Sequence, residues 1–435
     1  MLPPGAARSP EDHLLIAGCD TVELARSYGT PLYVYDENCL RKACGEFKTA
    51  FAKRYPETDI VYAGKAYMGV ALLRLLAEQG LGLDVVSGGE LAIAMAAGFP
   101  AERIFFHGNN KSRGELEEAL TAGVGHIVID NFLEIRLLEE IALARSLRQP
   151  ALIRISPGVD PHTHVKTTTG ITDTKFGFTL EGGQALEAVR QVLATPSIEL
   201  AGFHFHLGSP VFSTTPYTEA IGVAAKFAGE VKDQYGFEGS RFSPGGGFAI
   251  RYTEEDEPPT IDEYAESITA ALRADWAGRG LALPRLSVEP GRAIVGRAGV
   301  ALYTVGAEKQ VTGLRRYVSV DGGMTDNIRP ALYDSRYVAL LANRTGQNEQ
   351  VVTIAGKFCE SGDILIRDAS IDDPVAGDVL AVPASGAYGL AMASNYNSAT
   401  RPAVVFVRDG EARLVRRRET YDDLLSLEVA GTGEV

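Results

Sequence analysis

The chain has 435 residues, 45% of them hydrophobic and 23% charged, and a formal net charge of −14. That length suggests two domains, and the acidic balance argues against nucleic-acid or anionic-membrane partners, both of which favour basic surfaces. No apolar run is long enough to span a bilayer, residues 1–10 lack the pattern of a secretion signal, and Cys19, Cys39, Cys44 and Cys359 lack metal-ligand spacing, so no metal is expected and a reducing cytoplasm is the expected setting.

In chain order, residues 31–35 read as a strand. From 36 to 298, short apolar runs then alternate with amphipathic helical stretches, the pattern of repeated βα units. Predicted strands centre on 60–62, 83–86, 104–106, 127–129, 152–155, 202–206, 242–245 and 286–289. Helices are predicted over 71–79, 90–97, 114–122, 133–148, 185–193, 217–233 and 261–276. Eight such units predict an α/β fold, a (β/α)8 TIM barrel over 36–298. Residues 160–175, rich in Thr, Gly and His, are expected to form a mobile loop over the site. Beyond 298, β-branched runs at 300–305, 317–320, 351–354, 364–366, 379–382 and 404–407 predict a mostly antiparallel β domain of residues 1–35 and 299–435. Arg413, Arg416, Arg417 and Arg418, broken by Glu411 and Glu419, read as a solvated face.

Active sites on TIM barrels gather at the C-terminal ends of the strands. Lys65, Ser87, His107, Arg154, His206, Gly245–Gly247 and Glu289 all fall at or just after such ends. Most lysines are surface charges, but one at a barrel strand end among apolar neighbours, as in Val61-Tyr62-Ala63-Gly64-Lys65-Ala66, can bond covalently to an aldehyde cofactor. Gly245, Gly246 and Gly247 form either a plain turn or a loop whose backbone N–H groups approach a phosphate closely. Ser209 and Tyr388 offer hydroxyl donors for the same phosphate. Glu289, in Glu-Pro-Gly-Arg, suits a carboxylate facing a pyridine nitrogen, which keeps the ring protonated and electron-accepting. His206 suits a ring stacked on the cofactor, and His204, deeper on the same strand face, reads as structural. Cys359, followed by Glu360-Ser361-Gly362-Asp363, is a candidate acid that returns a proton to Cα. Together these residues point to pyridoxal 5'-phosphate as cofactor.

The stretches 82–91, His107-Gly108-Asn109-Asn110-Lys111-Ser112, 321–333, 359–363 and 386–397 resemble one family, the meso-diaminopimelate decarboxylases. These are fold-type III pyridoxal-phosphate enzymes related to alanine racemase, and the likeness runs from about 31 to 407. It implies decarboxylation of the D-centre of meso-2,6-diaminopimelate to L-lysine, with Lys65 holding the cofactor aldehyde and His206 against the ring. It places Ser209, Gly245, Gly246, Gly247, Arg292 and Tyr388 at or near the phosphate and Glu289 at the pyridine nitrogen. Arg292, Arg329 and Tyr333 would grip the distal carboxylate of the substrate, and Glu360 its distal ammonium. Cys359 would be the proton donor, reaching the site from the partner subunit of a homodimer. Gly64 and Tyr67 stand where Phe and Asn are more usual in the family, and Ser243-Pro244 precedes the glycines in place of an Asn/Asp-Ile pair. Two alternatives remain open, a decarboxylase of a related diamino acid and a non-catalytic cofactor-binding homologue. Racemisation calls for a basic partner at the ring nitrogen, where Glu289 is acidic.

Overall fold

The computed structural model describes residues 1–161, 167–171, 173–346 and 348–429. The chain forms two compact units, one of Arg41–Arg251 with Asp256–Ile294, the other of Met1–Leu40, Tyr252–Glu255 and the chain from Val295 onward.

The first unit is the predicted barrel. Its strands are Thr58–Ala63, Gly82–Val85, Ile104–Phe106, His126–Ile129, Gln149–Ser156, Ile198–His204, Arg241–Ser243 and Arg285–Val288. Each pairs in parallel with the next, and Leu286 of the last aligns with Thr58 of the first, which closes the ring. The strands are buried on both faces, as parallel strands under a coat of helices must be, and therefore read as continuous apolar runs. Val61, Phe105, Val128, Leu152 and Ala201 pack as one layer of the core.

Side-chain caps begin four of the helices that return a strand to the next. Ser87 accepts from the N–H of Glu90, Asn131 from Glu134, and Ser112 and Thr260 form reciprocal capping boxes with Glu115 and Glu263. Each of these caps fixes where its βα loop stops; Ser87 and Asn131 do so two residues past the strand end. The loop after the seventh strand is anchored by Phe248, whose ring lies edge-on to Phe47 and Tyr264 with centroids 5.1 Å away in each case.

The second unit is a mixed, mostly antiparallel sheet. Its spine is Gly299–Val311, paired with Arg315–Val320, Val379–Val382 and Leu32–Asp36. Leu32–Asp36 confirms the strand expected at 31–35, and it pairs in parallel with Ala403–Arg408. Glu349–Ala355 and Ile364–Asp372 extend the other edge. The arginine cluster begins on the solvated edge strand Glu411–Arg416. A small sheet of Ala7–Arg8, Leu14–Ile16 and Cys19–Asp20 was not foreseen, because strands of two or three residues carry no periodicity. Among the described residues, no helix is long and apolar enough to cross a membrane.

Candidate active site

The first barrel strand ends at Ala63 and turns at once through Gly64–Ala66, which leaves Lys65 exposed between two buried residues. A side chain at position 64 would not fit this turn: a Cβ there would lie 2.7 Å from the Asp84 carbonyl oxygen and 2.8 Å from Met68 Sδ. Lys65 is close enough that its charge acts on His206 and Asp84.

Beneath the strand ends lies a buried row of titratable groups. Ser243 Oγ donates to the Glu289 carboxylate at 2.5 Å, and His204 Nε2 lies 3.1 Å from it. The His204 ring meets His107 edge to face with centroids 4.8 Å apart, and His107 Nε2 is 3.1 Å from Asp84 Oδ1. Burial pushes both histidines down to about 4, so both are neutral at physiological pH. Burial also works against a charge on Glu289, but His204, His107 and Ser243 together outweigh it and hold this carboxyl well below the usual range. Asp84 goes the other way, raised by burial and then by the Glu289 charge. Two carboxyls at the ends of one imidazole pair are thus pushed in opposite directions, Glu289 down and Asp84 up.

No lysine or arginine among the described residues lies in ion-pair contact with Glu289. A buried carboxylate kept ionised without a cation suits a protonated ring nitrogen, so this floor fits pyridoxal phosphate.

At the other end of the site, the three glycines pack too closely for any side chain. A Cβ on Gly246 would fall 2.0 Å from the Glu289 carbonyl oxygen and one on Gly247 2.4 Å from that of Gly208, while Gly245 and Gly247 have φ of +74° and +107°. The glycines are therefore a close-packed cradle, but not all their N–H groups are free for a phosphate. Gly245 N–H donates to Ser243 Oγ at 3.1 Å and Gly246 N–H to His206 Nδ1 at 3.2 Å. Arg292, itself buried, directs Nε and Nη2 at Ser209 Oγ, each at 3.3 Å. His206 is half-buried with Nδ1 serving as an acceptor, and burial, Lys65 and Arg154 keep the ring neutral.

The stretch expected to form a loop over the site lies partly outside the described residues, at 162–166 and 172. Its described part is pinned beside His206: Thr169 Oγ1 donates to the His206 carbonyl at 2.8 Å, and the N–H groups of Thr169 and Gly170 donate to Leu207.

In the second unit, Arg329 and Tyr333 begin and end one short helix. Arg329 is 5% exposed, its guanidinium 4.9 Å from the Tyr252 ring centroid and 5.4 Å from that of Tyr337, whose hydroxyl it also meets. Burial opposes the charge, but Tyr252 and Tyr337 raise its pKa above the ordinary arginine value. Among the described residues it has no carboxylate in ion-pair contact. Tyr388 is half-buried with φ +62°, in the left-handed region that few non-glycine residues adopt. Cys359 and Glu360 stand exposed on one turn, whereas Cys19, Cys39 and Cys44 are buried.

Ser243, Asp84, Asp363 and Asn397 were not singled out for a role from the sequence. His204, read as structural, turns out to touch the Glu289 carboxylate. Strand alternation places His204 and Ser243 on inward faces, and that was the available signal. It does not say which inward polar groups meet.

The family described as "Pyridoxal-dependent decarboxylase, pyridoxal binding domain" matches residues 40–296. The chain is thus a pyridoxal-phosphate-dependent decarboxylase built on a TIM barrel. Diaminopimelate decarboxylase from Bacillus subtilis is 51% identical over 96% of this chain and 95% of its own, and that from Mycobacterium tuberculosis is 44% identical over 98% and 97%. The crystal structure of diaminopimelate decarboxylase from m. jannaschii in co-complex with L-lysine superposes with a TM-score of 0.93 at 35% identity, covering 99% of both chains. The chain belongs to the diaminopimelate decarboxylase family.

Proposed function

We propose that this protein removes CO2 from the D-configured centre of meso-2,6-diaminopimelate to give L-lysine, the last step of lysine biosynthesis, in the cytoplasm. The barrel, taken as 36–298, carries the cofactor, and residues 1–35 and 299–435 form the β domain. When bound, pyridoxal phosphate supplies an electron sink for the pair left on Cα as the carboxylate departs. Lys65 would hold the cofactor covalently and would supply an amine that can act as a base. Glu289 keeps the ring nitrogen protonated, and His206 covers one ring face while its Nδ1 is tied to Gly246. Ser209, Gly245, Gly246, Gly247, Arg292 and Tyr388 would lie at or near the phosphate, with the N–H of Gly247 the one of the three glycine donors that no side chain among the described residues engages.

The observation that carries the substrate reading is the buried guanidinium of Arg329. A desolvated cation without a carboxylate is costly, and a substrate carboxylate arriving there relieves that cost. Tyr333 and Arg292 support the same carboxylate, and Glu360 takes the distal ammonium. Lysine and ornithine carry no distal carboxylate. The m. jannaschii relative, solved with L-lysine, holds the product expected of this reaction. Cys359 returns the proton to Cα, and we propose that it does so in the partner's site of a homodimer, which accords with the exposure of both Cys359 and Glu360 on the single chain.

The test is CO2 release from meso-diaminopimelate, lysine, ornithine and arginine under identical conditions. The expected result is a kcat/KM for meso-diaminopimelate far above the other three. A preference for any substrate without the second carboxylate would refute the assignment.

A further inference from the structure

The turn that bears Cys359 and Glu360 is held by two side chains with no assigned part in the reaction. Asp363 is 3% exposed, and its carboxylate joins two separate loops: Oδ2 accepts the N–H of Phe358 at 2.9 Å, and Oδ1 accepts that of Met324 at 2.6 Å. The carboxylate sits between two glycines with no room for a larger residue, since a Cβ on Gly356 would lie 2.1 Å from it and one on Gly323 2.5 Å. Backbone bonds repeat the join: Lys357 N–H donates to the Gly322 carbonyl at 3.2 Å, and Asp363 N–H to that of Glu360 at 3.0 Å. The second loop runs directly into Arg329, because Asp326 and Asn327 N–H donate to the Gly323 carbonyl and Arg329 N–H meets Asn327 Oδ1 at 3.4 Å. Independently, Asn397 Oδ1 accepts the N–H of Cys359 itself at 3.1 Å. Asn397 makes that bond from φ +52°, a conformation that asparagine tolerates better than most residues.

We infer that Asp363 and Asn397 are positioning residues: Asp363 sets the Cys359–Glu360 turn against the loop that carries Arg329, and Asn397 fixes the Cys359 backbone alone. The inference rests on the functional reading above for the roles of Cys359 and Arg329. In the proposed homodimer Cys359 serves the partner's site and Arg329 its own chain's. Asp363 then ties a part of one site to a part of the other. A carboxylate accepting two backbone N–H groups has no neutral equivalent, because in Asp363→Asn the amide NH2 must face one of those donors.

The two variants should differ in which kinetic constant they move. Asn397→Ala removes one bond at Cys359 and leaves the Arg329 loop untouched, so kcat should fall while KM for meso-diaminopimelate stays. Asp363→Asn releases both loops, so kcat should fall and KM should rise. Losing the neutral bond in Asn397→Ala corresponds to an effect of about 2- to 10-fold, and losing a charge-assisted one in Asp363→Asn to about 10- to 100-fold. Both constants are expressed per bound cofactor, so that a fraction of misfolded protein does not enter. Iodoacetamide labelling of the holoenzyme gives a readout without substrate, because Cys19, Cys39 and Cys44 are buried within the chain and Cys359 lies on its surface, where a loosened turn would open it to the reagent. Its alkylation should be faster in both variants, with the visible absorbance of the bound cofactor unchanged. If the substrate reading were wrong, no protein would turn over meso-diaminopimelate, yet the labelling contrast would remain. Native kcat per cofactor together with native labelling rates in Asn397→Ala would overturn the inference, as would an Asp363→Asn enzyme that folds and keeps native KM.

Discussion

Lys65→Ala protein is expected to lose the visible absorbance of lysine-bound cofactor and nearly all turnover. The side chain stands on a one-turn bend at the end of the first barrel strand, above the row that ends in Glu289, with its charge felt by His206. Removing it takes away both the covalent tether and the amine that moves protons, and loss of a positioned base alone costs about 10²- to 10⁴-fold. The variant should still fold, because the buried residues of that turn are Gly64 and Ala66 and Lys65 contributes nothing to the core. It also gives a test of the shared site. Mixed with a Cys359→Ala chain, it should form heterodimers with one site in which native Lys65 meets native Cys359, and activity should partly return. If subunits exchange and nothing returns, the two residues serve the same chain's site or Cys359 is not the proton donor.

Arg329→Ala is expected to cost about 2 to 5 kcal/mol in kcat/KM for meso-diaminopimelate, between tens- and thousands-fold. The cause is the substrate's distal carboxylate, left desolvated and unpaired once the guanidinium is gone. Tyr252 and Tyr337, whose rings lie against that guanidinium, cannot replace it, since a phenol offers one donor and no charge. Lysine lacks the carboxylate, so its low rate should change little. Comparing both substrates in native and variant enzyme checks the argument. Equal damage to both would show that Arg329 shapes the site and does not read the substrate.

The eight barrel strands were legible because strands buried on both faces appear as short apolar runs, and polar residues at their ends stand out. Leu32–Asp36 was legible for the same reason, as five buried residues in succession. Contacts across the barrel were not legible. The opposite shifts of Asp84 and Glu289 depend on which groups the barrel packs around each one, and their imidazole partners lie 23 and 85 residues away in the chain. The glycines show a related gap. Three in a row announce a close approach of backbone, but only the structure directs the Gly246 N–H at His206 Nδ1. Asp363 passed as the end of a recognisable motif, because its function is to join two loops whose neighbourhood the sequence does not display.

The proposed reaction removes the carboxylate of one particular carbon, and isotope tracing tests that most directly. Native holoenzyme would be given meso-diaminopimelate carrying a carbon-13 label only in the carboxylate of its D-centre. All of the label is predicted to leave as CO2, with unlabelled L-lysine as the sole amino-acid product in equal amount. Label retained in lysine, or CO2 formed without lysine, would contradict it.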